Sequence, residues 1–441
     1  MRRDAGLKDP HRLCMPVPAK GRVRLKKQQI AIVGAGPAGL AAALYLHRAG
    51  HEVKLLERFS TPSPLGSGLI LQPTGLTVLD DLGLFDRISL LGNRIDRLYG
   101  ADALSGRPVL DVRYSALKGG RYGVAVHRAA LFDVLYQAVL REGIDIQTNV
   151  DAITMQTGHG RAWLMTNTGR SIGTFDLVVD ASGSRSKLKQ YAFNPSEPKP
   201  LTYGAYWVSL KWHGEGFDAR SLLQRYRKAG VVIGILPIGR TDAAGDDMAA
   251  FFWSTKPDEA DSLRAAGIAG WKDRVFALWP ECSVYLNQIN GFDDMTLARY
   301  GHHTLSMPVG RHLAVIGDAA HSTSPQLGQG ANMALLDARA LAHALMTSTE
   351  LDAALSAYAA SRRMHVRGFQ ALSRAFTPFY QSDSTALPFA RDWIVPTVAR
   401  IPPAPQLLAS MVSGTLIDPF RPIGLREKIW NQNSFSSPLA K

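Results

Sequence analysis

The sequence predicts a mixed α/β chain: a parallel-sheet domain, a β-rich insertion within it, and a helical C-terminal tail. Three observations predict this. Residues 29–58 run strand, glycine turn, helix, strand, a βαβ opening. Residues 200–300 turn aromatic and β-type in texture. Residues 311–346 return to strand, loop and long helix.

The opening is the most specific of the three. Ile30 to Val33 is a short apolar run of buried-strand type, and the glycines follow at once. In Gly34-x-Gly36-x-x-Gly39 the first glycine permits a tight turn. The second lets a phosphate approach the backbone, and the third lets helix and strand pack closely. Pro37 suits the first helical position, which needs no N–H donor. Leu40 to Arg48 continues as an Ala/Leu-rich helix that Gly50 ends. Glu52 to Leu56 is the second strand, closed by Glu57 and followed by Arg58. A carboxylate there accepts both hydroxyls of an adenosine ribose and repels a 2′-phosphate. The pattern therefore reads as a dinucleotide cradle of the FAD or NAD kind.

Further elements follow in order. A glycine loop near Gly66-x-Gly68 and Gln72 precedes a helix, Leu76 to Leu84. Val124 to His127 reads as a strand and Ala129 to Glu142 as a helix. Residues 144–180 hold short alternating strands, the last running from Asp176 to Asp180 into Ala181-Ser182-Gly183. In the insertion, Tyr203 to Trp212, Val231 to Leu236 and Met248 to Trp253 read as strands. One helix is expected between them and another near Gly270 to Phe276.

Composition bounds the class. The chain has 441 residues, 46% hydrophobic, 20% charged, with net charge +13. Residues 1–27 hold nine Lys or Arg against two acids, +7, so the basic balance is partly a property of this tail. It reads as a disordered, solvated extension, with no nucleic-acid partner expected. Arg2-Arg3 precedes no apolar stretch of export-signal length. No run reaches the ~18 apolar residues of a membrane span, though peripheral membrane contact is left open. Cys14 and Cys282 are the two cysteines, which fits a reducing cytoplasm. His302-His303 lack spaced partners for a metal.

The second motif narrows the ligand. Leu313 to Ile316 is a strand ending in Gly317-Asp318, followed by Pro325-x-x-Gly328-Gln329-Gly330-Ala331-Asn332 and a helix from Met333 to Met346. An aspartate at that strand end can bond the ribityl chain of a flavin. The N–H groups of the loop can stabilise charge on the reduced ring. A plain NAD dehydrogenase needs no such second site.

Here the chain resembles the group A flavoprotein monooxygenases, of which para-hydroxybenzoate hydroxylase is the type member. The matching pieces are VGAGPAGLAAALYLHRAG, LLER, HRAALFDVL, DLVVDASGSRSKL and GDAAHSTSPQLGQGANMALLDARAL, in the family's order. The resemblance implies a Rossmann-like FAD-binding domain of the GR2 type, formed by residues 28–95, 120–190 and 300–375. It implies a β-rich substrate domain from residues 96–119 and 191–299, then a helical, proline-punctuated region from 376 to 441. It places Gly34, Gly36, Ala38, Gly39, Glu57, Arg58 and Arg128 on the nucleotide of FAD. Asp318 falls on the ribityl chain, and Gly328, Gly330, Ala331 and Asn332 along the flavin ring. Gln72, Tyr206, Trp207 and Trp253 become substrate-contact candidates, with Tyr203 on the same sheet.

The implied activity is hydroxylation of an aromatic or other electron-rich small molecule through a flavin hydroperoxide. NAD(P)H would be the electron donor, O2 the oxidant, and the protein a monomer or dimer. No catalytic acid or base is assigned. His127 reads as a packed core residue and His321 as a residue orienting the flavin loop, with a proton role as its alternative. The family has Asp-Gly where this chain has Ser182-Gly183, and Asp180 stands where glycine is common. Ser182-Gly183 also resembles flavin halogenases and geranylgeranyl reductases, but the halogenase Trp-x-Trp-x-Ile-Pro signature is absent. A reductase of isoprenoid double bonds, or a flavin-binding redox subunit, is thus the alternative.

Overall fold

The computed structural model describes residues 25–61, 67–384, 386–393 and 399–430. Residues 1–24 of the basic tail, Cys14 and Gly66 lie outside them. The central sheet has six strands in the order Val309–Gly310, Leu313–Val315, Leu177–Asp180, Gln29–Val33, Glu52–Leu56 and Asp145–Gln147. All neighbours run parallel except the first pair.

Its inner strands Gln29–Val33, Leu177–Asp180 and Leu313–Val315 are largely apolar because both faces are covered. Ile30 and Ile32 point into a core with helices Pro37–Arg48, Arg128–Arg141 and Gly330–Thr347. Ala31 and Val33, one residue out of phase, point into a second core. There Met155, Ala162 and Leu164 come from a three-stranded antiparallel sheet formed by residues 152–175.

A seven-stranded sheet stands beside this body. Its order is Thr296–Ala298, Gly204–Lys211, Met248–Thr255, Val231–Gly239, Ser221–Arg227, Arg97–Asp102 and Pro108–Arg113. One expectation fails here. The interval between the strands ending at Lys211 and beginning at Val231 holds the strand Ser221–Arg227, not a helix. It is paired on both sides, antiparallel to Val231–Gly239 and parallel to Arg97–Asp102. Those distant pairings outweigh any local helical preference. The helix expected near Gly270 is Gly267–Leu278.

The last long element is a 30-residue helix, Leu351–Tyr380, which packs on Gly330–Thr347. Helix Ala404–Ser413 then lies against strand Pro108–Arg113. No helix among the described residues is long and apolar enough to cross a membrane.

Candidate functional site

One cavity of about 1710 Å3 runs between the two sheets. At one end the first strand stops at Val33 and the chain turns through the glycines. Gly34 adopts φ +104°, and a Cβ there would sit 2.6 Å from the Ala181 carbonyl oxygen. A Cβ on Gly39 would sit 1.9 Å from the Gly34 oxygen, so helix and strand pack backbone to backbone. A Cβ on Gly36 would meet nothing within 4 Å, and Gly36 lines the cavity. The glycine turn thus leaves open space beside Gly36 that could admit a phosphate group. Helix Pro37–Arg48 has no side-chain cap and no acid in its first turn, so its N-terminal N–H groups stay available to an anion.

Glu57 is buried at the end of the second strand and lines the cavity. Its Oε2 accepts from Ala35 N–H (2.8 Å) and its Oε1 from Phe59 N–H (3.1 Å). These bonds aim the carboxylate and leave lone pairs for ribose hydroxyls. Arg58 and Arg128 are exposed at the rim. His127 caps helix Arg128–Arg141: Ala129 N–H donates to its Nδ1 (3.1 Å). The proton therefore sits on Nε2, which faces Ser209 Oγ (3.0 Å). Burial and the neighbouring Arg128 keep this histidine neutral by lowering its pKa.

Asp180 has a role that its position in the sequence did not reveal. It is fully buried and accepts from Ser182 Oγ (2.6 Å), Ser182 N–H (3.1 Å) and Ser186 Oγ (2.5 Å). Ser182 replaces the usual aspartate, but a carboxylate two residues earlier ties the same turn from beneath. Burial raises the Asp180 pKa, and the serine bonds oppose that rise.

At the second motif, Asp318, Gly328, Gly330 and Ala331 line the cavity, and helix Gly330–Thr347 opens there without a side-chain cap. Asn332 does not face the cavity. It is buried as a brace, its Oδ1 accepting from Gln72 N–H (2.8 Å) and its Nδ2 donating to the Gly328 carbonyl (2.9 Å). Behind Asp318 lies a charged cluster. Asp337 accepts from Gly317 N–H (2.9 Å), His321 Nε2 (2.5 Å) and Arg362 Nε (2.7 Å). Burial alone would raise the Asp337 pKa, but His321 and Arg362 hold it at about 2. Burial alone would lower the His321 pKa, but Asp337 raises it. His321 is buried outside the cavity wall, and its Nε2 contact tethers the loop through Asp337.

The other end of the cavity is aromatic. Trp207 packs at a tilt of 30° against Phe252 (4.6 Å between centroids) and donates its Nε1–H to Tyr300 Oη (2.7 Å). Burial pushes the Tyr300 pKa up to about 12, so its own O–H proton remains to be donated. Gln72 lines the wall, with its Oε1 held by the Tyr114 hydroxyl. Tyr206 and Trp253 are a correction. Strand alternation turns both to the far face of the sheet, into a core with Trp271 and Phe292. Tyr203 is likewise outside the wall, its hydroxyl donating to Asp383 (2.8 Å). Tyr300 and the C-terminal helix were missed as wall elements, and Tyr114 was missed as the buried residue that holds Gln72 from behind. Pro405, Leu408, Met411 and Val412 of that helix complete the cavity. Gln329 Nε2 bolts it down through the Val412 carbonyl (2.6 Å), and His365 Nε2 does so through the Gly414 carbonyl (2.9 Å). Cys282 is buried and donates to the Trp279 carbonyl (2.9 Å); burial pushes its pKa to about 12.

The comparisons agree with the fold. A family model described as an FAD binding domain matches residues 27–373. A 3-hydroxybenzoate 6-hydroxylase of Aquipseudomonas alcaligenes is 25% identical over 79% of this chain and 89% of its own. A 6-hydroxynicotinate 3-monooxygenase of Bordetella bronchiseptica is 27% identical over 77% and 87%. The crystal structure of Klebsiella pneumoniae HpxO complexed with FAD and uric acid shares the fold. Its TM-score is 0.73 at 21% identity, over 88% of this chain and 97% of that one. The chain belongs to the FAD-binding domain family, and within it to the FAD-dependent oxidoreductases of the group A monooxygenase type.

Proposed function

We propose that this protein hydroxylates an electron-rich aromatic small molecule, with NAD(P)H as electron donor and O2 as oxidant. The observation that carries the reading is the continuous cavity joining the glycine cradle to the Trp207–Tyr300 wall. Bound FAD supplies the redox chemistry. The chain's own residues do the rest. The uncapped N-termini at Pro37 and Gly330 hold negative charge. Glu57 anchors the ribose and Asp318 the ribityl chain. Tyr300 offers a neutral O–H to a substrate oxygen, since its pKa lies near 12. Gln72 is oriented by Tyr114, and helix Ala404–Ser413 excludes water from the aromatic end. The β-rich sheet is the substrate domain in this reading. Two cysteines in 441 residues support a cytoplasmic setting.

The test is substrate-stimulated NAD(P)H oxidation by the FAD-loaded chain under 18O2, across a panel of phenols and quinols. Incorporation of one labelled oxygen into the product is expected. A product reduced at a double bond, with no label, would favour the isoprenoid reductase instead.

A further inference from the structure

We propose that the substrate carries a long apolar chain, seated in an arm of the cavity between the seven-stranded sheet and the C-terminal helices. This rests on the hydroxylation reading, because the arm begins at the aromatic wall.

Size comes first. Small-molecule sites ordinarily span about 300–1000 Å3. The cavity here is about 1710 Å3. The glycine cradle takes one end of it. The space beyond Trp207 is walled by Leu98, Val109, Leu222 and Val232 from the sheet, and by Leu408 and Met411 from helix Ala404–Ser413. Phe376 and Tyr380, at the end of the 30-residue helix, close it further.

Chemistry comes second. Two polar side chains of this arm are satisfied within the protein, while Gln381 Oε1, buried in the same wall, has no hydrogen-bond partner among the described residues. Tyr226 donates its O–H to Gln224 Oε1 (2.9 Å). Ser254 Oγ accepts from Val232 N–H (2.7 Å) and donates to the Gly230 carbonyl (3.3 Å). Charged residues on this side are at the rim: Asp111, Arg113 and Arg400 are exposed, and Asp111 is held by Arg97 through two bonds of 2.7 and 2.8 Å. A compact, anionic aromatic would leave the partly exposed Leu222, Phe376 and Leu408 in contact with water. A hydrocarbon chain would cover them. The two halves of such a ligand match the two regions of wall: a hydroxylated ring at Trp207 and Tyr300, and a tail along Leu222 and Leu408.

The experiment titrates the FAD-loaded full chain with para-alkylphenols, from methyl to octyl, reading the perturbation of the flavin absorbance spectrum. Each added methylene is expected to tighten binding about fourfold, the factor for burying one CH2. In Leu408→Arg that gradient is expected to vanish. FAD content, measured on the same sample, reports folding. Leu222→Gln, on the opposite wall, gives an independent second reading. A dissociation constant that ignores chain length in the unaltered protein overturns the proposal. The two readings separate cleanly. Graded binding with no labelled oxygen in any product overturns hydroxylation and keeps the apolar arm. Hydroxylation of methylphenol with no length gradient does the reverse.

Discussion

Glu57 shows what one side chain contributes to the site. Its carboxylate is aimed by two backbone N–H groups and faces the cavity beside the glycine turn. Glu57→Gln keeps the shape and removes the charge. FAD affinity should fall about ten- to a hundredfold, the worth of a charge-assisted bond, and flavin fluorescence titration would read it. Ser182 gives a second prediction. Restoring the family's aspartate by Ser182→Asp would set a second carboxylate against buried Asp180, whose oxygen lies 2.6 Å from the Ser182 hydroxyl. We expect a loosened turn and weaker FAD binding; tighter binding with faster reduction by NADPH would contradict this. The glycines and Glu57 were legible because their constraints are local: a positive φ, a close approach, a strand end. Tyr300 and Tyr114 were not, because only distant packing brings Tyr300 to the wall and Tyr114 behind Gln72. Trp207 and Trp253 were equally aromatic in the sequence, and only the pleat decides which one faces the cavity. Trp253→Ala should therefore cost about 3–5 kcal/mol of stability in denaturant unfolding, as a core truncation does.

Among the elements, helix Ala404–Ser413 was legible as a helix but not as a wall. Nothing in its apolar pattern names the surface it covers. Its attachment is specific all the same. Gln329, from the second glycine loop, bonds the Val412 carbonyl, so the flavin loop and the covering helix share a residue. Gln329→Ala leaves that carbonyl unpartnered, at about 1–3 kcal/mol. Amide exchange across residues 404–414 should then quicken roughly ten- to a hundredfold; unchanged exchange would show that the helix is held elsewhere. Strand Ser221–Arg227 marks the limit of local reading, since only its long-range partners at Arg97–Asp102 and Val231–Gly239 make it extended.

The whole molecule should respond to pH in two limbs. His365 is buried and its folded pKa is lowered to about 3. Its contribution is complete above the ordinary value of 6.5 and is lost as pH falls toward 3. Asp337, held at about 2, adds a loss below 3.8. His321 is raised, so its contribution is complete below 6.5 and is lost as pH climbs through the raised value. Thermal midpoints should peak between the limbs. His365→Gln should remove about one proton from the acid slope, and an unchanged slope would exclude this histidine. Other buried histidines, His51 and His303 among them, are lowered by burial and share that limb.

The central sheet draws strands from residues 29–33, 177–180 and 313–315 side by side, which bears on how the protein is made. Gly36 and Asp318 line one cavity yet leave the ribosome far apart in time. At about 5–20 residues per second, their emergence is separated by roughly 15 to 55 seconds. For that interval strand Gln29–Val33 can pair with Glu52–Leu56 and then Leu177–Asp180, but the Asp318 side of the cavity is not yet synthesised. Cofactor loading must therefore follow synthesis of the second glycine loop. Scarcity of flavin would be felt by a nearly finished chain rather than a growing one.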